Sequence, residues 1–266
     1  MKKQRLDQLI FELGYTESRE RAKTTIMSGL VFVNGNRVDK PGTAVAPDAK
    51  IEVRGEALPF VSRGGFKLDK ALRVFPVDPA GKICLDCGAS TGGFTDVLLQ
   101  HGAARVYAVD VGYGQLAWKL RTDDRVVNLE RTNLRYITKE QIPDAIDLAV
   151  MDVSFISIRL IIPAVRQLLR PDADMVCLIK PQFEAGREDV GKKGVVRDSE
   201  VHVRVVEEIL SFAESEGLSV MGLDYSPIRG PEGNIEYICH LKNCAGLTRI
   251  IDVRSVVSAS HEDLGS

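Results

Sequence analysis

This 266-residue chain has no apolar run long enough to cross a bilayer; stretches such as Leu160–Val165 fall far below the roughly 20 residues required. The basic N-terminus MKKQRLDQLIFELG lacks the apolar segment of a secretory signal. Cysteines are few and odd in number. Five of them in a chain without an export signal predict reduced thiols and a cytoplasmic location. No internal repeat is visible, and a net charge of −2 does not by itself favour a nucleic-acid partner. The dinucleotide fingerprint G-x-G-x-x-G and the phosphate loop G-x-x-x-x-G-K-[ST] are also missing.

A hydrophobic content of 44% and a charged content of 27% are ordinary for a globular protein, and the length suits two domains. Residues 1–40 carry eight Lys/Arg against five acids, a mild local excess that a solvated face would also show. Leu6, Leu9, Ile10 and Leu13 recur at helical spacing, and Gly14 closes that helix. A second helix is expected from Ser18 to Ser28, then a hairpin in LVFVNGNRV turning at Asn34-Gly35, then a strand over Asp48–Val53. Residues 1–55 therefore read as a small α+β domain and 56–61 as a linker.

From there strands alternate with helices. The strands expected are Lys82–Cys87, Arg105–Asp110, Val126–Leu129, Asp147–Asp152, Met175–Lys180, Ser219–Tyr225 and Glu236–Leu241. The clearest helices are Ile158–Leu169 and Ser199–Glu216. This alternation predicts an α/β, mostly parallel, doubly wound sheet over residues 62–244. Because SPIRGPEGN joins the last two strands without a helix, the C-terminal strand should run antiparallel, as in the class I methyltransferase variant of the Rossmann architecture. Residues 245–266 show weak periodicity and read as a loosely ordered tail.

CLDCGASTGG (84–93) is the first stretch that carries chemistry. Its glycines are Gly88, Gly92 and Gly93, and Ser90 stands where a dinucleotide fold places its second glycine. A ligand without phosphates is favoured. Asp86 can face an amino group at the mouth of the loop, and Asp110, ending the next strand, suits two ribose hydroxyls. S-Adenosylmethionine has both groups and no phosphate. Glycines that merely form a tight turn would explain the loop but not the two carboxylates. No second closely spaced pair accompanies Cys84 and Cys87, so they read as packing residues rather than a metal or redox site.

Asp152 in MDVSFIS (151–157) ends the fourth strand of the larger domain, at the edge where doubly wound sheets bind ligands. The Asn/Asp-Pro-Pro-aromatic motif of base-amino methyltransferases is absent there, and Cys177 has no neighbouring proline to suggest a cytosine-C5 enzyme. What stands at the strand ends instead is Lys180 in VCLIKPQFE and Glu236 in GNIEY, with Lys67 in SRGGFKLDKAL just before the sheet. Singly, Lys67 and Glu236 read as solvated or structural charges. The set of four shifts that balance.

SRGGFKLDKA, DCGASTGGFTD, MDVSF, LIKPQFE and GNIEY, in this order, resemble the Lys-Asp-Lys-Glu tetrad of FtsJ-like 2′-O-ribose methyltransferases. Residues 5–38 resemble the αL RNA-binding module of a small-subunit ribosomal protein and of pseudouridine synthases. Together, from about residue 4 to 242 and including ERTN at 130–133, the chain resembles the TlyA family, historically labelled hemolysins. It departs from many members at the linker, where ALPFV (57–61) replaces an Arg-x-Trp-Val segment.

The resemblance implies a catalytic tetrad of Lys67, Asp152, Lys180 and Glu236. It implies S-adenosylmethionine held by Asp86, Gly88, Ala89, Ser90, Gly92, Gly93 and Phe94, with Asp110 and Asn133, and no metal. In such a site Lys180 would be the base: its ordinary pKa of about 10.4 keeps it protonated, and a second cation, Lys67, favours the neutral amine. Asp152 and Glu236 would orient the lysines while opposing that shift. A 2′-hydroxyl substrate means RNA. Arg5, Arg19 and Lys23 are expected at phosphates, Arg63 at RNA beside the site, and Phe155 stacked on a flipped nucleotide or simply packed in the core. The resemblance points to cytidine in 16S or 23S rRNA, within ribosomal subunits or their precursors. The alternatives are a hemolysin, a non-catalytic RNA-binding assembly factor, and a dehydrogenase, which Ser90 disfavours.

Overall fold

The computed structural model describes residues 3–16, 18–54, 59–230 and 232–265, so residues 56–58 of the 56–61 linker lie outside the described residues. The N-terminal domain contains β1 (Gln4–Arg5), α1 (Leu6–Glu12), α2 (Arg19–Met27), β2 (Val31–Val33), β3 (Asn36–Val38), β4 (Ala44–Val45) and β5 (Ile51–Val53). Its helices form where apolar residues share one face: Leu6, Leu9 and Ile10 of α1 bury against Ala22 and Ile26 of α2 and Val31 of β2. Ser18 caps α2 by accepting from the Arg21 N–H at 3.1 Å. The hairpin turns where the sequence puts it, with Asn34 and Gly35 both at positive φ.

The second domain runs through α3 (Gly65–Val74), β6 (Ile83–Cys87), α4 (Gly93–Gln100), β7 (Arg105–Val109), α5 (Trp118–Arg121), β8 (Val126–Leu129), β9 (Ile146–Met151) and α6 (Ile162–Arg166). It continues with β10 (Leu169–Ile179), α7 (Pro181–Glu184), α8 (Ser199–Ser215), β11 (Ser219–Tyr225), β12 (Tyr237–Lys242) and α9 (Val253–Leu264). Seven strands form one sheet in the order β11-β12-β10-β9-β6-β7-β8. Strand β12 lies antiparallel between β10 and β11, as its helix-free connection predicts. Both faces are covered, so successive strand residues serve two separate cores. Leu85 and Met151 pack on one face with α6, α8 and α9, while Cys84 and Val150 pack on the other with α3, α4 and α5.

Two sequence readings require correction. The helix expected at Ile158–Leu169 is a 3₁₀ turn, Ile158–Leu160, followed by the short α6, and β10 begins at Leu169 instead of Met175. Pro163 fits the first turn of α6, where its missing N–H costs nothing. A short apolar run cannot by itself distinguish a buried helix from a buried strand. The tail is likewise not loose. Asp252 caps α9 through the Ser255 N–H at 3.0 Å, and Val253 and Val257 are buried. His261 and Ser260 join a buried cluster with His202 and Tyr237. Only a few apolar residues face the core, which explains the weak period. Among the described residues no helix is long and apolar enough to cross a membrane.

Candidate active site

Strand register gathers the site. Met151 pairs with Cys177, and Ile179 with Tyr237, so the residues just beyond these ends, Asp152, Lys180 and Glu236, meet at one sheet edge. Helix α3 delivers Lys67 to the same point. Lys67 Nζ lies 2.7 Å from Glu236 Oε2 and 3.2 Å from Asp152 Oδ2, and Lys180 Nζ lies 2.6 Å from Asp152 Oδ1. The four expected residues therefore form one continuous chain of alternating charge. Both lysine side chains are 8% exposed and that of Glu236 is 1% exposed, so the charges stabilise one another out of water. Burial works against the charge of Lys67, but Asp152 and Glu236 outweigh it and raise its pKa. Burial also works against ionised Asp152, yet Lys67 and Lys180 hold its pKa below the ordinary carboxylate range.

The tetrad forms one wall of a cavity of about 420 Å³. Gly88, Ala89, Ser90, Gly93 and Phe94 of the glycine loop line the same space. Gly88 sits at φ +87°, and a Cβ there would stand 2.8 Å from the Asp152 carbonyl, so only glycine lets the loop approach the tetrad this closely. Gly92 does not line the cavity; at φ +96° it lets Leu116 and Leu120 close over the loop. Ser90 is itself left-handed (φ +48°), and its N–H goes to Asp110 Oδ2 at 2.7 Å rather than toward a phosphate. Asp110 Oδ1 accepts from the Gly112 N–H at 2.7 Å, and each oxygen keeps a second lone pair. Asn133 caps the turn at Leu134–Tyr136 by accepting from the Arg135 N–H, outside the cavity wall.

Asp86 differs from its expected position. Its side chain is enclosed beneath the loop rather than at its mouth, because β6 ends by turning that residue into the core. Oδ2 accepts from the Thr95 hydroxyl at 2.6 Å, while Oδ1 is buried without a partner. Burial lifts its pKa to about 7. A raised carboxyl pKa means stability that is full below about 4 and is lost as pH rises toward 7. Asp86→Asn should therefore gain urea resistance relative to the native chain as pH increases from 4 to 8. A gap that does not widen with pH would show that Asp86 is not held in its neutral form.

Cys84 and Cys87 are both buried in β6, and burial drives both thiol pKa values upward (that of Cys84 to about 12). Phe155 is the opposite of a core phenylalanine: it is 91% exposed, adopts φ +64°, and lies 5.1 Å from the Phe183 ring. Arg63 lines a smaller cleft of about 200 Å³ that shares Lys67 with the main cavity. In the N-terminal domain, Arg5 and Arg19 converge on the fully buried Asp7, at 2.9 and 3.2 Å. Lys23, one turn further along α2, pairs with Glu20.

Several neighbours of the tetrad escaped the sequence reading although they lie within the quoted motifs. Ser154 accepts a hydrogen bond from Lys180 at 3.0 Å, and Gln182 donates to Glu236 at 3.2 Å. Glu184 accepts from the Ser157 hydroxyl and the Ile158 N–H, binding α7 to the segment after Asp152. Asp96 accepts the Val61 N–H at 2.8 Å and pairs with Lys119, which anchors the chain entering SRGG. Their only sequence signal is adjacency to strand-end charges.

Residues 60–243 match the FtsJ-like methyltransferase family, and residues 4–51 match the S4 domain. A Mycobacterium tuberculosis protein named 16S/23S rRNA (cytidine-2′-O)-methyltransferase TlyA is 46% identical over 239 residues, covering 90% of this chain and 89% of that protein. The chain belongs to the TlyA family. Hemolysin A of Brachyspira hyodysenteriae is also 46% identical, over 89% of this chain and 98% of its own length. A solved structure from Streptococcus thermophilus, provisionally described as a hemolysin, superposes with a TM-score of 0.80 at 47% identity, covering 100% of this chain and 98% of its own. This TlyA-family chain is therefore a methyltransferase built from an FtsJ-like catalytic domain and an S4 domain.

Proposed function

We propose that this enzyme transfers a methyl group from S-adenosylmethionine to a ribose 2′-hydroxyl of ribosomal RNA, at cytidine in the 16S or 23S species, with Lys180 as the base. The supporting observation is that the Lys67–Asp152–Lys180–Glu236 chain and the glycine loop line one cavity. The residues suit the cofactor. Gly88, Ala89 and Ser90 line the cavity with small side chains or none, Asp110 retains lone pairs for ribose hydroxyls, and the orphaned Asp86 Oδ1 is an acceptor in need of a donor. When bound, S-adenosylmethionine supplies an electrophilic methyl group and a positive charge.

The chain's own task is to position the hydroxyl and remove its proton. Fully ionised, the four tetrad residues sum to zero charge, and loss of the Lys180 proton leaves one net negative charge, which a neighbouring cation favours. Lys67 remains protonated between Asp152 and Glu236, so the two lysines divide the work: Lys67 holds the carboxylates and Lys180 takes the proton. Phe155 offers an exposed ring for the flipped base, and Arg63 holds the backbone beside Lys67. Arg5 and Arg19, half-exposed and oriented by Asp7, with Lys23, serve phosphates at a distance from the reaction.

The test is methyl transfer from labelled S-adenosylmethionine to purified 30S and 50S subunits. Label is expected in an alkali-resistant dinucleotide, because a 2′-O-methyl group removes the nucleophile of backbone cleavage. Absence of such a product from both subunits would overturn the reading.

A further inference from the structure

The turn after β9 and the helix after β10 interlock at the reaction edge. Lys180 reaches Asp152 and Ser154, Phe183 lies against Phe155, and Glu184 holds Ser157 and Ile158. Within this interlock the two groups touching Lys180 Nζ differ in kind. Asp152 Oδ1, at 2.6 Å, is a charged partner that also pairs, through its other oxygen, with Lys67. The Ser154 hydroxyl, at 3.0 Å, is the uncharged acceptor of a hydrogen bond from Lys180. The Phe183 ring, with its centroid 5.9 Å from Nζ, borders the lysine as well.

We infer that Ser154 is a positioning residue that aims the lone pair of Lys180 at the acceptor hydroxyl; this rests on Lys180 being the base, as proposed above. A neutral amine has two N–H bonds and one lone pair, and the lone pair can point in any of three staggered directions. Rotation about the terminal C–N bond interconverts them, and a single partner at Asp152 would leave two of the three open to the lone pair. A fixed hydroxyl acceptor commits one N–H and removes one of the three directions. With Asp152 occupying a second, the lone pair faces the remaining side, which the cavity leaves open. Ser154 is exposed and lines that same cavity, so its oxygen sits at the place where the aim is set. The backbone supports the arrangement: Phe155, the next residue, takes φ +64°, turning the chain so that Ser154 reaches Lys180 while the aromatic ring points outward. After proton transfer the ammonium has three N–H groups, directed to Ser154, to Asp152 and back toward the substrate oxygen. The proton moves from the ribose hydroxyl to Nζ, the oxygen gains the methyl, and the sulfur leaves as a neutral thioether.

The experiment compares Ser154→Ala, Ser154→Thr and Lys180→Met in the full chain. RNA is saturating in one series and varied in another, and cofactor affinity is measured by calorimetry. Ser154→Ala is expected to lower kcat roughly tenfold or more, with KM for RNA and cofactor affinity within about twofold. Its pH–rate profile should shift its acid limb to lower pH, because a hydrogen bond that favours the ammonium has been removed. Ser154→Thr, which keeps the hydroxyl, should recover most of kcat. Full activity in Ser154→Ala alongside an inactive Lys180→Met would overturn the role of Ser154 and leave the base assignment standing. A rise in KM alone would make Ser154 an RNA contact, and equal loss in Ala and Thr with an unmoved pH profile would make it structural; either overturns the inference. Activity retained by Lys180→Met would instead remove the base reading on which it rests.

Discussion

Lys180→Met is expected to reduce kcat for RNA methylation by roughly 10²–10⁴-fold, the usual contribution of a positioned general base. Methionine preserves the length and apolar stem of lysine, so the cavity wall keeps its shape. The carboxylate left behind, Asp152, still pairs with Lys67 at 3.2 Å, and the fold should tolerate the change. Lys180 is held by Asp152 and Ser154 rather than by the glycine loop, so cofactor affinity should remain within about twofold while the chemical step fails. The two readouts together carry the prediction. Activity within threefold of the native enzyme would remove Lys180 from the reaction, and loss of cofactor binding would make it a structural residue.

Lys67→Met should do something different: it should destabilise the catalytic domain by about 3–5 kcal/mol, the cost of removing one partner from a buried ion pair. Glu236 would be left with its charge buried and, among the described residues, an amide of Gln182 as its remaining side-chain partner. The sign with pH follows from the raised pKa of Lys67. Its contribution is complete below the ordinary lysine value and disappears only as pH climbs through the raised one, so the full penalty should appear in urea melts at pH 8. Lys67→Met combined with Glu236→Gln should recover much of that stability without restoring activity. A non-additive recovery of this kind is the mark of two residues in direct contact. Additive losses in the double variant would show that Lys67 and Glu236 are not energetically coupled.

The sheet was legible because buried strands and amphipathic helices have different periods and each repeats several times. The errors fall where a period is short or diluted: the apolar run after Ile158, which became a 3₁₀ turn, a short helix and the start of β10, and α9, whose buried face includes a serine. Asp86 shows a different limit. Its position before the glycine loop is plain from sequence, but whether a strand-end side chain points outward or inward depends on the twist of β6 against its neighbours.

The order of motifs determined which residue types are available: a lysine and two carboxylates at strand ends, a second lysine on the helix before the sheet, and a glycine loop whose serine argues against phosphate. Family resemblance arose from the same local patterns, since each is a short stretch with its own backbone demands. The tertiary structure decided what these residues do to one another. Residues 67 and 236 are far apart in sequence, and only the pairing of β12 with β10 and the packing of α3 bring their charges to 2.7 Å. Burial then makes those charges interdependent, which no linear spacing can encode. The same holds for Ser154, an unremarked serine in the sequence, whose oxygen becomes a hydrogen-bond partner of Lys180 because two strands end side by side.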